Sequence, residues 1–160
     1  MFDDDAGADR RDKIARLDAG FAAAIPHNRA LGMRFIDYGP GEAQMLLPYS
    51  ERLIGNPETR VLHGGAISAL LDACSGAAVF TKLGLVASIA TLDLRIDYLK
   101  PATPDRDVVC RARCYKATKN VAFVRALAYH DDESDPIAAA AGSFMLFESG
   151  RRVVQEGRSQ

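Results

Sequence analysis

Two hydrophobic periods run along this chain, one helical and one alternating, and they change over near Gly84. At the front, Ile14, Leu17, Phe21 and Ala24 recur at three- and four-residue spacing, which puts them on one face of a helix. The opposite face carries Arg10, Arg11, Lys13, Arg16 and Asp18. The pattern predicts an amphipathic helix from Asp9 that Pro26 stops, with residues 1–8 frayed. Leu31 to Pro48 reads as extended chain with a turn at Gly39-Pro40-Gly41, and Ser50 to Arg60 as a polar loop turning at Gly55-Asn56-Pro57. Residues 64–82 are rich in Ala and Leu, hold no proline and are apolar almost all round, which predicts a helix buried on most sides.

Beyond Gly84 the period becomes two. Leu92, Leu94, Ile96 and Tyr98 alternate with Asp93, Arg95 and Asp97, a half-buried strand that ends at Lys100-Pro101. The same alternation puts Thr91 on the polar face. Three more strand-like runs follow, 108–116, 121–130 and 137–147, separated by polar turns at 117–120 and 131–136. Connections that short join antiparallel neighbours. An antiparallel sheet must bury one face, and the buried helix available to cover it is 64–82. The fold class is therefore α+β, a curved antiparallel sheet wrapped around one long helix. The chain divides into an N-terminal tail and helix (1–24), a main domain (25–147) and a charged, loose tail from Glu148 to residue 160.

A length of 160 residues suits one core, and a formal net charge of −1 gives no global attraction to nucleic acid or to an anionic membrane. The acidic start Met1-Phe2-Asp3-Asp4-Asp5 is unlike a secretory leader, and the apolar run after Gly64 is interrupted by Asp72. A cytoplasmic protein is expected. Cys74, Cys110 and Cys114 form no CxxC pair, and four residues of strand hold the last two roughly 13 Å apart. They read as small core side chains, not as metal ligands or a disulfide.

Asp72 is the one ionisable side chain between Gly64 and Thr81. A carboxylate leaves water at a cost of several kcal/mol unless it finds partners. Ser68 and Ser75, four residues before and three after, offer hydroxyls on its own helix. Asp72 is thus either a structural acid satisfied by serines or a reactive one. Immediately before the helix stands His63-Gly64-Gly65. Two glycines allow close approach, and a helix N-terminus presents unpaired N–H groups, so the turn is either a plain loop or an oxyanion hole. Eight residues of helix separate Gly64 from Asp72, roughly 12 Å. Both cannot reach one scissile bond from the same copy of the helix. If both act, they come from two protomers across a twofold axis, and function requires a dimer.

His63-Gly64-Gly65 followed by Leu71-Asp72 resembles the signature of hotdog-fold acyl-CoA thioesterases, nearest to the phenylacetic-acid-degradation (PaaI) type of the 4-hydroxybenzoyl-CoA thioesterase superfamily. Pro26 through Leu31-Gly32-Met33, and Thr91 ahead of Tyr98-Leu99-Lys100-Pro101-Ala102, extend the likeness over roughly residues 25 to 147. The resemblance implies that Asp72 activates water or attacks the thioester carbonyl, and that the Gly64 N–H polarises that carbonyl. It implies that Thr91 positions water or the acid, and that Asn56, in the loop before the turn, completes the site. His63 and Gly65 would shape the substrate-binding turn. Arg60, Lys116 and Lys119 are candidates to hold the phosphates of coenzyme A, or else ordinary solvated cations. Coenzyme A enters as part of the substrate, with no separate cofactor and no metal. A homodimer is needed for the site, and homotetramers are frequent in the family.

Two other readings stay open. A hotdog hydratase or dehydratase would pair a His with an acid, and His27 and His130 lie far from the motif in sequence. A non-catalytic acyl-CoA-binding protein would keep the pocket without turnover. No GxSxG elbow is present, which argues against an α/β-hydrolase. The acyl group, and whether Asp72 serves as base or nucleophile, are not readable from the residues.

Overall fold

A computed structural model describes residues 4–84 and 88–147, so the tail expected from Glu148 lies outside the described residues. The chain opens with α1 (Asp4–Leu17), which passes without a break into a π-helical turn, Asp18–Ala23. The helix therefore begins five residues earlier than the apolar spacing predicts. The wider π-turn also shifts the face: Ala22 is buried, whereas Ala24, expected on the apolar stripe, is exposed. The first helix ends at Ala23, ahead of Pro26 as expected, and Ile25 is extended. Pro26 opens a second short helix, α2 (Pro26–Ala30), in the first turn, where its missing N–H costs nothing.

The hairpin β1 (Arg34–Gly39) and β2 (Glu42–Leu47) follows as expected. The polar loop contains a small hairpin of its own, β3 (Ile54–Asn56) and β4 (Val61–Leu62). Then come α3 (Gly64–Leu83), β5 (Ser88–Tyr98), β6 (Val108–Ala117), β7 (Val121–Tyr129) and β8 (Ala138–Phe147). The main sheet runs β1-β2-β6-β7-β8-β5, antiparallel throughout.

The sheet curls around α3, which is the hotdog arrangement the pattern predicts. Leu70, Leu71 and Cys74 of α3 share one fully buried core with Met45, Val108 and Phe144 of the sheet. By length and composition α3 could cross a membrane, but most of its apolar window is buried inside this core. The three cysteines are buried and unpaired. The Cys74 thiol donates to the carbonyls of Ala43 and Cys110 at 3.3 Å each, and burial pushes the Cys110 thiol well up.

β5 pairs only with β8, so its other edge has no partner strand among the described residues. Its register with β8 breaks: Thr91 lies opposite Phe144, but Asp93 lies opposite Ser143. Leu92 is the extra residue of a β-bulge and stands 53% exposed. A bulge reverses which face each residue upstream presents. Thr91 therefore turns toward the helix, together with Ile89, and not onto the polar face that simple alternation assigns to it.

Candidate active site on the central helix and edge strand

Asp72 sits near the middle of α3, facing the edge strand β5, and is half-buried. Its partner is not a serine. Thr91 Oγ1 donates to Asp72 Oδ1 at 2.9 Å, so the bulge in β5 supplies the hydroxyl that anchors the acid. Ser68 is engaged elsewhere, donating to the Gly64 carbonyl at 3.1 Å and lying 2.5 Å from the Tyr98 hydroxyl. Ser75 is buried with no hydrogen-bond partner among the described residues. No hydrogen bond among the described residues takes Asp72 Oδ2. The carboxyl lines a cavity of about 810 Å³ between α3, β5 and the N-terminal segment.

The turn before α3 is built separately. His63 caps the helix: its Nδ1 accepts from the Gly65 N–H at 2.8 Å, which leaves the ring proton on Nε2. A Cβ on Gly65 would stand 2.8 Å from that same nitrogen, so the cap requires glycine there. His63 thereby removes the Gly65 N–H from use and leaves the Gly64 N–H without an acceptor among the described residues. Tyr98, at the far end of β5, fixes this turn. Its hydroxyl donates to the Gly64 carbonyl at 2.7 Å, and its ring meets any Cβ placed on Gly64 at 3.4 Å. The Gly64 turn opens into a different cavity, about 430 Å³, lined also by Tyr98 and Pro101.

The other candidates fall outside both cavities. Asn56 Oδ1 accepts from the backbone N–H groups of Glu58 and Thr59, at 2.9 and 3.4 Å, and so closes its own turn. Arg60 adopts φ 58° and its guanidinium is held by Asp105 at 3.0 Å and Glu51 at 3.2 Å. Lys116 and Lys119 are exposed at the β6–β7 turn, with no ion pair among the described residues. No group of three or more His, Cys, Asp or Glu among the described residues is placed to hold a metal ion.

Comparison with known proteins decides the family. A sequence model of the thioesterase superfamily matches residues 60–137, a span that contains His63-Gly64-Gly65, Asp72 and Thr91. The medium/long-chain acyl-CoA thioesterase YigI of Escherichia coli K12 is 30% identical, over 79% of this chain and 88% of its own. The chain belongs to the thioesterase superfamily. A Pseudomonas aeruginosa protein of known structure is 42% identical to this thioesterase, with a TM-score of 0.74 over 82% of this chain and 97% of that one. The phenylacetic acid degradation protein PaaI of Thermus thermophilus shares the fold at 23% identity, with a TM-score of 0.65 over 75% of this chain and 97% of that one.

Sequence reasoning missed two contributors to the site of this thioesterase. Tyr98 was legible only as part of a motif, because nothing in its spacing says which carbonyl its hydroxyl will reach. His27, more than forty residues before Asp72 in sequence, lines the same cavity. Only the packing of the N-terminal segment against α3 brings it there.

Proposed function

We propose that this thioesterase hydrolyses an acyl-CoA, with Asp72 of one protomer and the Gly64 N–H of its partner acting on the same carbonyl. The observation that carries the reading is the Thr91–Asp72 bond, which fixes one carboxylate oxygen and leaves the other facing a cavity. Asp72 takes a proton from water as the water oxygen adds to the thioester carbon, or adds to that carbon itself and is then hydrolysed off. The carbonyl oxygen becomes an oxyanion and is stabilised by the Gly64 N–H at the positive end of α3. Collapse expels coenzyme A as its thiolate, which takes up the proton from Asp72 or from solvent. The free acid is left directly in the first route and on hydrolysis of the Asp72 anhydride in the second. A thioester carbonyl is electrophilic enough for these two groups, so the reading requires no cofactor.

Distance supports the two-protomer site. About 12 Å of helix lies between Gly64 and Asp72, and the two open into separate cavities within one chain. The unpartnered edge of β5, with Leu92, Tyr98 and Leu99 each about half exposed, supplies a surface on which a second copy can close. The active unit is a homodimer, and association of two dimers into a tetramer leaves the site unchanged. Lys116 and Lys119 remain free to meet the coenzyme A phosphates, whereas Arg60 is already neutralised by two carboxylates.

The test is complementation. Asp72→Asn and Gly64→Pro should each lower thiol release by about 10²–10⁴-fold, since proline at the first helical position removes the N–H without breaking the helix. Mixed dimers of the two variants contain one site with both lesions and one with neither, so activity returns on mixing. Failure to recover activity would place both groups in one protomer, and full turnover by Asp72→Asn would remove the carboxylate from the reaction. Because His27 shares the cavity, enoyl-CoA hydration is measured alongside; hydration exceeding hydrolysis would favour the hydratase reading.

A further inference from the structure

We propose that the N-terminal helical segment is the acyl-length gauge of the enzyme, and that it selects straight saturated acyl chains of about eight to twelve carbons. The inference rests on the reading above, which places the thioester carbonyl at Asp72. From there the cavity follows α3 toward its C-terminal end. The side chains along that track are small: Ala73 lies beside Asp72, and Gly76 one turn further. Gly76 is buried, with atoms of Ile89 and Phe144 3.5 and 3.7 Å from where its Cβ would be, and all three line the cavity. Beyond Asp72 the lining contributed by α3 is apolar, Ala73, Gly76 and Phe80, which suits an alkyl chain.

Phe80 is the lining residue furthest along α3 from Asp72 on this side. Its ring meets Phe21 edge-to-face, with centroids 5.0 Å apart and planes at 75°. Eight residues of helix from Asp72 to Phe80 span about 12 Å. A staggered alkyl chain advances about 1.25 Å per carbon–carbon bond of roughly 1.5 Å, so about ten carbons fill that distance.

Phe21 belongs to the π-turn of the N-terminal segment, upstream of the residues that match the superfamily. The segment is held rigidly enough to act as a wall. Asp18 Oδ1 accepts from the Phe35 N–H at 2.6 Å, and the buried Asn28 donates through Nδ2 to the Phe21 carbonyl at 2.9 Å. Arg10 pairs with Asp37, donates to the Tyr38 carbonyl at 2.8 Å and covers the Tyr38 ring at 5.2 Å. These ties seat Phe21 over Phe80 from outside the catalytic elements. The chemistry thus resides on α3 and β5, and the length limit on a segment that touches neither reacting group.

The experiment measures kcat/KM of the full chain over straight acyl-CoAs from butanoyl to hexadecanoyl, with phenylacetyl-CoA as the aromatic arm. The optimum should fall at octanoyl to dodecanoyl. Phe21→Ala and Phe80→Ala should each raise the hexadecanoyl-to-decanoyl ratio by about tenfold or more, and Gly76→Val should move the optimum to shorter chains. Phe21 is only half-buried and lies on the N-terminal segment, so that variant carries the test if Phe80→Ala fails to fold. An unchanged optimum in Phe21→Ala, or a preference of the unaltered enzyme for phenylacetyl-CoA, overturns the gauge while leaving the hydrolase reading intact. Absence of thiol release from every acyl-CoA would instead overturn the hydrolase reading, and the gauge with it.

Discussion

Gly142 of β8 faces the carbonyl of Asp93 so closely that a Cβ there would stand 2.6 Å from the oxygen and 2.9 Å from Leu94 Cδ1. This contact lies at the bulge that turns Thr91 toward Asp72. Gly142→Ala must push the two strands apart. It should cost about 1–3 kcal/mol of stability and lower turnover as well, by about as much as Thr91→Val does. Thermal unfolding and thiol-release assays on both variants check this; an active Gly142→Ala of unaltered stability would show that the bulge does not hold Thr91.

Tyr98 acts on the Gly64 turn and not on the acid. Tyr98→Phe keeps the ring against Gly64 and removes the hydroxyl that meets the Gly64 carbonyl and Ser68. Loss of about 1 kcal/mol of positioning should lower kcat by about fivefold with KM little changed. A fall in affinity with kcat preserved would assign the hydroxyl to substrate binding.

Ser75 hides a hydroxyl in the core with no partner among the described residues. Ser75→Ala removes the unsatisfied group and adds helix propensity, so it should stabilise the fold by about 1 kcal/mol without altering the pH dependence of turnover. Denaturant unfolding measures the gain. A destabilised Ser75→Ala would mean that the hydroxyl has a partner in the assembled protein.

On the outer face of the sheet, the Arg111 guanidinium, 2.8 Å from Glu42, holds that carboxyl below its ordinary 4.5. A carboxylate depressed in the folded state stabilises above its unfolded pKa and loses that contribution as pH falls through the folded value. Glu42→Gln should therefore unfold more easily near neutral pH, by up to about 1 kcal/mol because the pair is part-exposed. The gap from the unaltered protein should close as the pH drops below 4.5. Urea midpoints at several pH values check the sign.

The long elements were legible because their periods were sustained. Twenty residues of near-continuous apolar helix and four strands joined by short turns leave one sensible packing. What failed were features that depend on one residue more or less. The alternation through 92–98 is real, yet extending it to Thr91 crosses the Leu92 bulge and gives the wrong face. The bulge announces itself only through Gly142, about fifty residues later, once the strands are paired. Asp72 was visible as a lone charge, but its partner was not, since serines at helical spacing look nearer in sequence than a threonine brought by a sheet. Pro26 marked the end of the first helix correctly, but α2, which it opens, is too short to show a period and went unread.

The π-turn at Asp18–Ala23 gives the N-terminal helix, in effect, one residue more than an α-helix would need for the path it takes. Deleting a single alanine there would let an unbroken α-helix form, an improvement by any local measure. Everything upstream would then swing by about 100° around the axis, carrying Arg10 away from Asp37 and Tyr38. The irregular turn is what lets one helix satisfy two bearings at once, a polar grip on β1 and an aromatic lid over Phe80.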